Sequence, residues 1–239
     1  MRAQGPALLS VIWLAGCIQS FPTAPSPEMI PVATPQTEGA TDAQTAARNL
    51  VSVVTRMEPI IEDECRRRAP GEVCDFRIVV DDRPGQPSNA FQTLDGSGRP
   101  IIAFTIPLIA EAQNVDELAF IMGHEAAHHI AGHIPRQRQS AMTGALILGG
   151  LAAATGADTE GIRAAQDIGG TFGARTYSQG FELEADRLGT IIAFDAGYDP
   201  LRGAQFFTRI PDPRDSFLGT HPPNAARLRT VEETVATLR

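Results

Sequence analysis

Apolar positions recur at a helical period along three long stretches of the chain. They cover residues 41–67, a segment that begins near residue 115, and residues 178–196, and a further helical pattern ends the chain. Residues 76–80 have the short apolar run of a strand. Residues 90–94 and 100–105 flank an Asp-Gly-Ser-Gly turn, which predicts a β-hairpin directly before the second helix. The pattern therefore predicts an α+β fold that is mostly helical, with a small hairpin or sheet beside that helix.

Two segments of this pattern allow more than one interpretation. Residues 141–157 are small and apolar, carry four glycines, and are shorter than the roughly 20 residues of a membrane span. A buried helix or a lid near the site is favoured there over a span. The hairpin strand beside the second helix either binds an extended peptide by edge pairing or is purely structural.

The first residues have the pattern of an export signal. Arg2 gives a positive start, and residues 7–15 form an apolar core that is too short to span a membrane. The tetrapeptide Leu-Ala-Gly-Cys at residues 14–17 resembles a bacterial lipobox, in which the signal is removed before a cysteine that carries lipid. We expect a signal peptide at 1–16, a lipidated Cys17 with a Pro-rich tether over 17–42, and a domain over 43–239. The alternative is an ordinary secretory signal with an incidental cysteine.

Composition narrows the class of partner. The chain has 239 residues, 43% of them hydrophobic, which suffices for one domain with a core. Its formal net charge is −8, so we expect no nucleic-acid partner.

Cys65 and Cys74 are an even pair, and in an oxidising compartment they predict a disulfide. The alternative is a metal pair, but a Cys-x8-Cys spacing is not a usual zinc motif.

The second helix carries the pattern His-Glu-x-x-His at residues 124–128. Side chains four apart share one helix face, so His124 and His128 can bind one metal ion, while Glu125 reaches a water on it. A catalytic zinc site usually has three protein ligands, and the extended motif with a third histidine is out of register here. Glu182 and Asp186 are also four apart, so one can be a ligand and the other can orient a ligand histidine. The alternative is a solvated acidic face.

Several motifs of the chain, these residues among them, resemble those of the M48 zinc metallopeptidases in their bacterial periplasmic form. The resemblance covers roughly residues 43–239. The resemblance implies a zincin-like metallopeptidase domain with one zinc ion per chain. Gln179 departs from the family, whose members usually carry Arg after the serine, and this puts one substrate or structural ion pair in doubt. The motifs that carry the resemblance are Asn89-Ala90-Phe91, His124-Glu125-x-x-His128 with His133, Ser178, Glu182-Leu183-Glu184-Ala185-Asp186-Arg187-x-Gly189, Ala196-Gly197-Tyr198-Asp199-Pro200, and His221-Pro222 with Arg227.

The resemblance also implies roles for individual residues. Glu182 is the implied third zinc ligand, and Asp186 supports a ligand histidine. His221 lies near the metal, where it steadies the reacting oxygen or caps the open position. Glu125 is then the general base, and later the acid that protonates the leaving amine. His129 and His133 are expected to be structural, with the alternative that His133 orients another group, and Glu184 is expected to be a surface or salt-bridge residue.

The implied activity is that of a zinc endopeptidase that hydrolyses peptide bonds of periplasmic or envelope proteins with a zinc-activated water, in protein quality control. Expected partners are unfolded or misassembled envelope polypeptides and, through Cys17, a membrane. Ile18 follows that cysteine instead of Asp, which favours the outer over the inner membrane. The alternative is a non-proteolytic, chaperone-like or binding lipoprotein with a latent zinc site on the same fold. A purely structural zinc is disfavoured, because Glu125 would then have no task.

Overall fold

The computed structural model describes residues 42–176, 178–212 and 222–238. The mostly helical α+β class expected from the sequence is confirmed. In chain order the elements are α1 (Ala43–Arg68), β1 (Arg77–Asp81), β2 (Ala90–Leu94), β3 (Pro100–Thr105), α2 (Ile106–Glu111), α3 (Val115–Ile130), α4 (His133–Ala154), α5 (Thr159–Thr176), α6 (Ser178–Asp195), α7 (Pro200–Gly203), a 3₁₀ turn (Ala204–Thr208) and α8 (Asn224–Leu238).

The three strands form one small sheet in the order β1-β3-β2. Strands β2 and β3 are the predicted hairpin, with Ala90 opposite Phe104 and Leu94 opposite Pro100. Strand β1 pairs parallel to β3 on the other side. Strand β2 is therefore an edge of the sheet, and it lies beside α3.

Helix α3 lies at the centre of the core. Nearly all of its residues are buried, between α1 on one side and α6 on another. Side chains from three elements meet around it and are fully buried: Met57 and Ile61 of α1, Ile102 and Phe104 of β3, and Met122 of α3 itself. A polar side chain on such a helix must find a partner inside the protein, because water does not reach it.

Helices α3 and α6 cross at two glycines, Gly123 and Gly189. A Cβ atom added at Gly189 would lie 2.7 Å from the backbone nitrogen of His124, and one added at Gly123 would lie 2.8 Å from the carbonyl oxygen of Gly189. No side chain fits between the two backbones at this point. The glycines therefore set how close the His-Glu-x-x-His helix comes to the helix that carries Glu182 and Asp186.

The segment predicted as a buried helix or a lid is mainly helical, but the helix is not buried, and that part of the prediction is wrong. Residues 141–157 belong mainly to α4, which packs against α5 as a helical hairpin. The contact between these helices is made by small residues, and a Cβ at Gly144 would lie 2.1 Å from the carbonyl oxygen of Gly169. Larger apolar side chains face outward instead, and Leu146 is 72% exposed. Within the described residues, no helix is both long and apolar enough to cross a membrane.

A disulfide joins Cys65, a buried residue in the last turn of α1, to Cys74, just before β1. It closes the turn that leads from the first helix into the sheet. The predicted signal peptide, Cys17 and all but residue 42 of the tether lie outside the described residues.

Replacing Gly189 by alanine will destabilise the protein. The added methyl group meets the α3 backbone, and overpacking of this kind costs about 1–3 kcal/mol of unfolding free energy. Urea unfolding followed by circular dichroism measures the difference from wild type.

Gly180→Ala is the matched control, because Gly180 lies on the same helix and no atom lies within 4 Å of the place that its new methyl group would take. Alanine is the better helix former, so this variant should be as stable as wild type or up to about 1 kcal/mol more stable. Equal stability of the two variants would show that the crossing is not tight at Gly189.

Candidate metal centre

Helix α3 presents both histidines of its motif to one point. Asn114 caps the helix by accepting a hydrogen bond from the backbone N–H of Glu117. The four-residue spacing then places His124 and His128 on one face, and their Nε2 atoms lie 3.0 Å apart. Two imidazole nitrogens held this close favour either a shared proton or a shared cation.

Glu182 of α6 completes a group of three possible ligands. One carboxylate oxygen lies 3.4 Å from His124 Nε2, and the other lies 3.5 Å from His128 Nε2. Nitrogen and oxygen ligands at about 2.0–2.1 Å from a tetrahedral zinc ion are about 3.3 Å from one another. The observed spacing therefore fits a single metal ion of this size, and the two-nitrogen, one-carboxylate donor set suits zinc.

The other ring nitrogen of His124 is held by a buried ion pair. Asp186 lies 2.9 Å from His124 Nδ1 and is fully buried. Arg227 of α8 donates two hydrogen bonds to this carboxylate, from Nε at 2.8 Å and from Nη2 at 2.6 Å. The guanidinium also lies over the ring of Phe207. These contacts fix the orientation of the His124 ring and leave its Nε2 directed at Glu182.

His128 is contacted by a histidine from the next helix. His133, the first residue of α4, has its Nδ1 atom 2.9 Å from His128 Nδ1. Its Nε2 atom lies 3.2 Å from a carboxylate oxygen of Glu184, and Arg136 pairs with that same oxygen. His129 points elsewhere and bonds to the carbonyl oxygen of Val73 at 2.8 Å.

The pKa values of the site reflect burial and the carboxylates. Burial lowers the pKa of His124, but its hydrogen bonds to Asp186 and Glu182 outweigh burial and raise the pKa to about 10. Burial and the positive charge of His124 lower the pKa of His128 to about 3. Burial, with Glu182 nearby, raises the pKa of Glu125. The pKa values of the two neighbouring histidines are therefore shifted in opposite directions.

Two hollows meet at His124 and Glu125. One, of about 950 Å³, extends along the first turns of α3 past Ile121 toward Phe207, and the other, of about 300 Å³, extends toward His133 and Phe181. The start of edge strand β2 lines both. The backbone N–H of Gln92 in this strand faces the Glu125 carboxylate and acts to lower its pKa, against the larger effect of burial. The site is thus a cleft that continues on both sides of Glu125, with a strand edge along it.

The structure brings together the residues that the sequence pointed to on α3 and α6, namely His124, Glu125, His128, Glu182 and Asp186. His221 lies outside the described residues, as does Cys17. Sequence reasoning assigned no role to Arg227, although a buried Asp186 requires a cation or several donors nearby. It interpreted Glu184 as a surface residue and His133 as structural, with the alternative that His133 orients another group. The signal for all three residues was their place in motifs beside the ligands.

Two helices bring two histidines and two glutamates together around one point. This arrangement is typical of a metal-dependent hydrolase site. A model of the peptidase family M48 matches residues 48–235, and the chain belongs to this family. Membership of a metallopeptidase family agrees with the donor set found here.

Individual proteins are similar over shorter stretches. A Vibrio cholerae serotype O1 protein described as "Putative beta-barrel assembly-enhancing protease" is 37% identical over 131 residues, which are 52% of this chain and 26% of the relative. A Yersinia pestis protein described as "Beta-barrel assembly-enhancing protease" is 27% identical over 154 residues, 59% of this chain and 31% of the relative. The chain thus spans less than a third of the length of these curated relatives.

Replacing Arg227 by methionine will strongly destabilise the protein. The change leaves the fully buried Asp186 without its guanidinium partner, and breaking a buried ion pair on one side costs about 3–5 kcal/mol. Urea unfolding of the purified protein measures the loss of unfolding free energy.

Arg229→Met is the matched control, since Arg229 is exposed on the same helix. An exposed substitution of this kind changes stability by no more than about 0.5 kcal/mol. If both variants lost the same stability, the pair with Asp186 would not be a support of the site.

Proposed function

We propose that this protein is a zinc-dependent endopeptidase. The observation that supports the proposal best is the convergence of His124 Nε2, His128 Nε2 and the Glu182 carboxylate at the spacing of a tetrahedral zinc ion, with Glu125 beside them. A zinc ion there would supply Lewis acidity, which activates a water molecule and polarises the scissile carbonyl.

Glu125 is the general base in this proposal. It lies next to the three ligand side chains, and burial raises its pKa above the ordinary glutamate value of 4.5. A raised pKa brings a carboxylate closer to the pH at which it both accepts a proton from water and returns it to the leaving amine. His221, implied by the family resemblance, is the proposed helper that stabilises the oxyanion.

The substrate, in this proposal, is an extended polypeptide that pairs with the edge of β2. The cleft continues in both directions from Glu125, which suits cleavage within a chain better than cleavage at its end. Backbone pairing with the strand would orient the peptide without regard to sequence.

The expected cellular setting is the bacterial envelope. The similar proteins of Vibrio cholerae and Yersinia pestis are named for enhancing β-barrel assembly, and β-barrel proteins belong to outer membranes. The lipobox-like sequence before Cys17 supports a lipid anchor on the periplasmic side, with the outer membrane favoured. We propose unfolded or misassembled envelope proteins as substrates, in quality control.

Glu125→Gln should retain zinc and lose peptidase activity. The amide has the size of the carboxylate but accepts no proton, and the loss of a general base lowers kcat by about 10²–10⁴-fold. The assay is cleavage of casein by the purified full-length chain, with bound zinc measured in the same samples.

A Glu125→Gln variant that cleaves casein as fast as wild type would remove Glu125 from the mechanism. If wild type and variant both bind zinc and neither cleaves, while the variant corrects envelope defects in cells as well as wild type does, the chaperone-like function with a latent site is the better description.

Glu182→Gln should lower zinc affinity. The change replaces the charged ligand by a neutral amide, and its effect should exceed the roughly 10–100-fold loss typical of residues that only support a ligand. Competition with a chromophoric chelator gives the affinity.

Asp195→Asn is the control for that change, because it is the same carboxylate-to-amide substitution at an exposed position on the same helix. It should leave zinc affinity unchanged. Unchanged affinity in Glu182→Gln would place the third ligand elsewhere.

A further inference from the structure

A break in the helix places His133 against His128. On an unbroken α-helix, residues five apart lie on different faces and do not touch. Here α3 ends at Ile130, and Gly132 adopts a left-handed conformation with φ of 65° before α4 begins at His133. The chain therefore turns back, and the two rings meet with 2.9 Å between their Nδ1 atoms.

His133 is itself held on three sides. The ring of Phe181 stacks on it, with 4.7 Å between ring centroids and 12° between ring planes. The guanidinium of Arg136 lies over the Phe181 ring, 4.3 Å from its centroid. Glu184 accepts from His133 Nε2 at 3.2 Å and from Arg136 Nη1 at 2.9 Å. A ring that is only 4% exposed and bonded at both nitrogens has one orientation.

When His128 binds a metal, only one arrangement of the imidazole protons gives each of these hydrogen bonds a donor and an acceptor. If His128 offers its Nε2 lone pair to a metal, its proton is on Nδ1 and donates to His133 Nδ1. His133 then carries its own proton on Nε2 and donates it to Glu184. Arg136 donates to the same carboxylate, so each bond has one donor and one acceptor.

We propose a relay in which Glu184 and Arg136 hold the His133 ring, and the Nδ1 acceptor of His133 positions His128 as a metal ligand, in parallel with the Asp186–Arg227 pair that positions His124. His133 is a positioning residue in this relay and does not touch the reacting atoms. The inference rests on the proposed function, since it concerns the support of one zinc ligand.

Two substitutions of His133 separate its two hydrogen bonds. The side-chain amide of asparagine reaches the place of the imidazole Nδ1 atom, so His133→Asn keeps an acceptor for His128. The amide of glutamine reaches the place of Nε2, so His133→Gln keeps the bond to Glu184 but leaves His128 Nδ1 without its acceptor. Both variants are polar and smaller than or similar to histidine, and both should fold.

The test measures zinc affinity in the full-length chain by competition with a chromophoric chelator. We expect His133→Gln to bind zinc about 10–100-fold more weakly than wild type, and His133→Asn to stay within about a factor of three of it. Substitution with Co²⁺ gives a second reading, because the visible absorption bands report the ligand geometry. These bands should shift in the glutamine variant and stay unchanged in the asparagine variant.

His129→Gln is the matched control. It changes the neighbouring histidine in the same way, and its bond goes to the carbonyl of Val73 instead of a ligand. Zinc affinity should be unchanged in it. Equal affinities of the glutamine and asparagine variants at position 133, or an equal loss in His129→Gln, would overturn the relay. A wild-type chain that binds no zinc would overturn the proposed function instead.

Discussion

The close crossing of α3 and α6 at Gly123 and Gly189 is the constraint on which the rest of the site depends. Glu182, Asp186 and Gly189 are spaced at i, i+4 and i+7, so they form one stripe of α6 that faces α3. One end of the stripe makes the backbone contact, the middle supports His124, and the other end supplies the carboxylate between the histidines. A side chain at the crossing would move all three away from α3 together.

The crossing also concentrates charge in a largely buried place at the floor of the cleft. Glu125, Glu182 and Asp186 bring three carboxyl groups within one buried cluster, and Arg227 is the permanent cation that faces them. Burial of carboxylates is costly unless hydrogen bonds and opposite charges compensate. Arg227 and His124 do so for Asp186, and they lower its pKa although burial raises it. A divalent cation between the histidines and Glu182 would balance the remaining negative charge, which is why the cluster suits a metal.

Periodicity alone predicted the helices that carry the site and the hairpin beside it, because α3 and α6 have apolar faces that their neighbours cover. For residues 141–157 a helix is present but its predicted burial is wrong, because periodicity shows that a face is apolar but not what covers it. There the helix–helix contact uses Gly144 and Gly169, and the larger side chains face outward. Arg227 was missed because it lies 41 residues from Asp186. The contact of His133 with His128 was not predicted because it requires the turn at Gly132.

The two ligand histidines differ in the chemistry of their support. His124 is held by a carboxylate whose charge Arg227 compensates, whereas His128 is held by an imidazole, with Glu184 one residue farther away. A second carboxylate directly on His128 would add a fourth buried acid to a cluster that already contains three. An imidazole supplies the acceptor without a charge, and the negative charge of Glu184 is kept at a half-exposed position beside Arg136. A neutral support on one side thus allows both rings to be fixed while only one buried ion pair is needed.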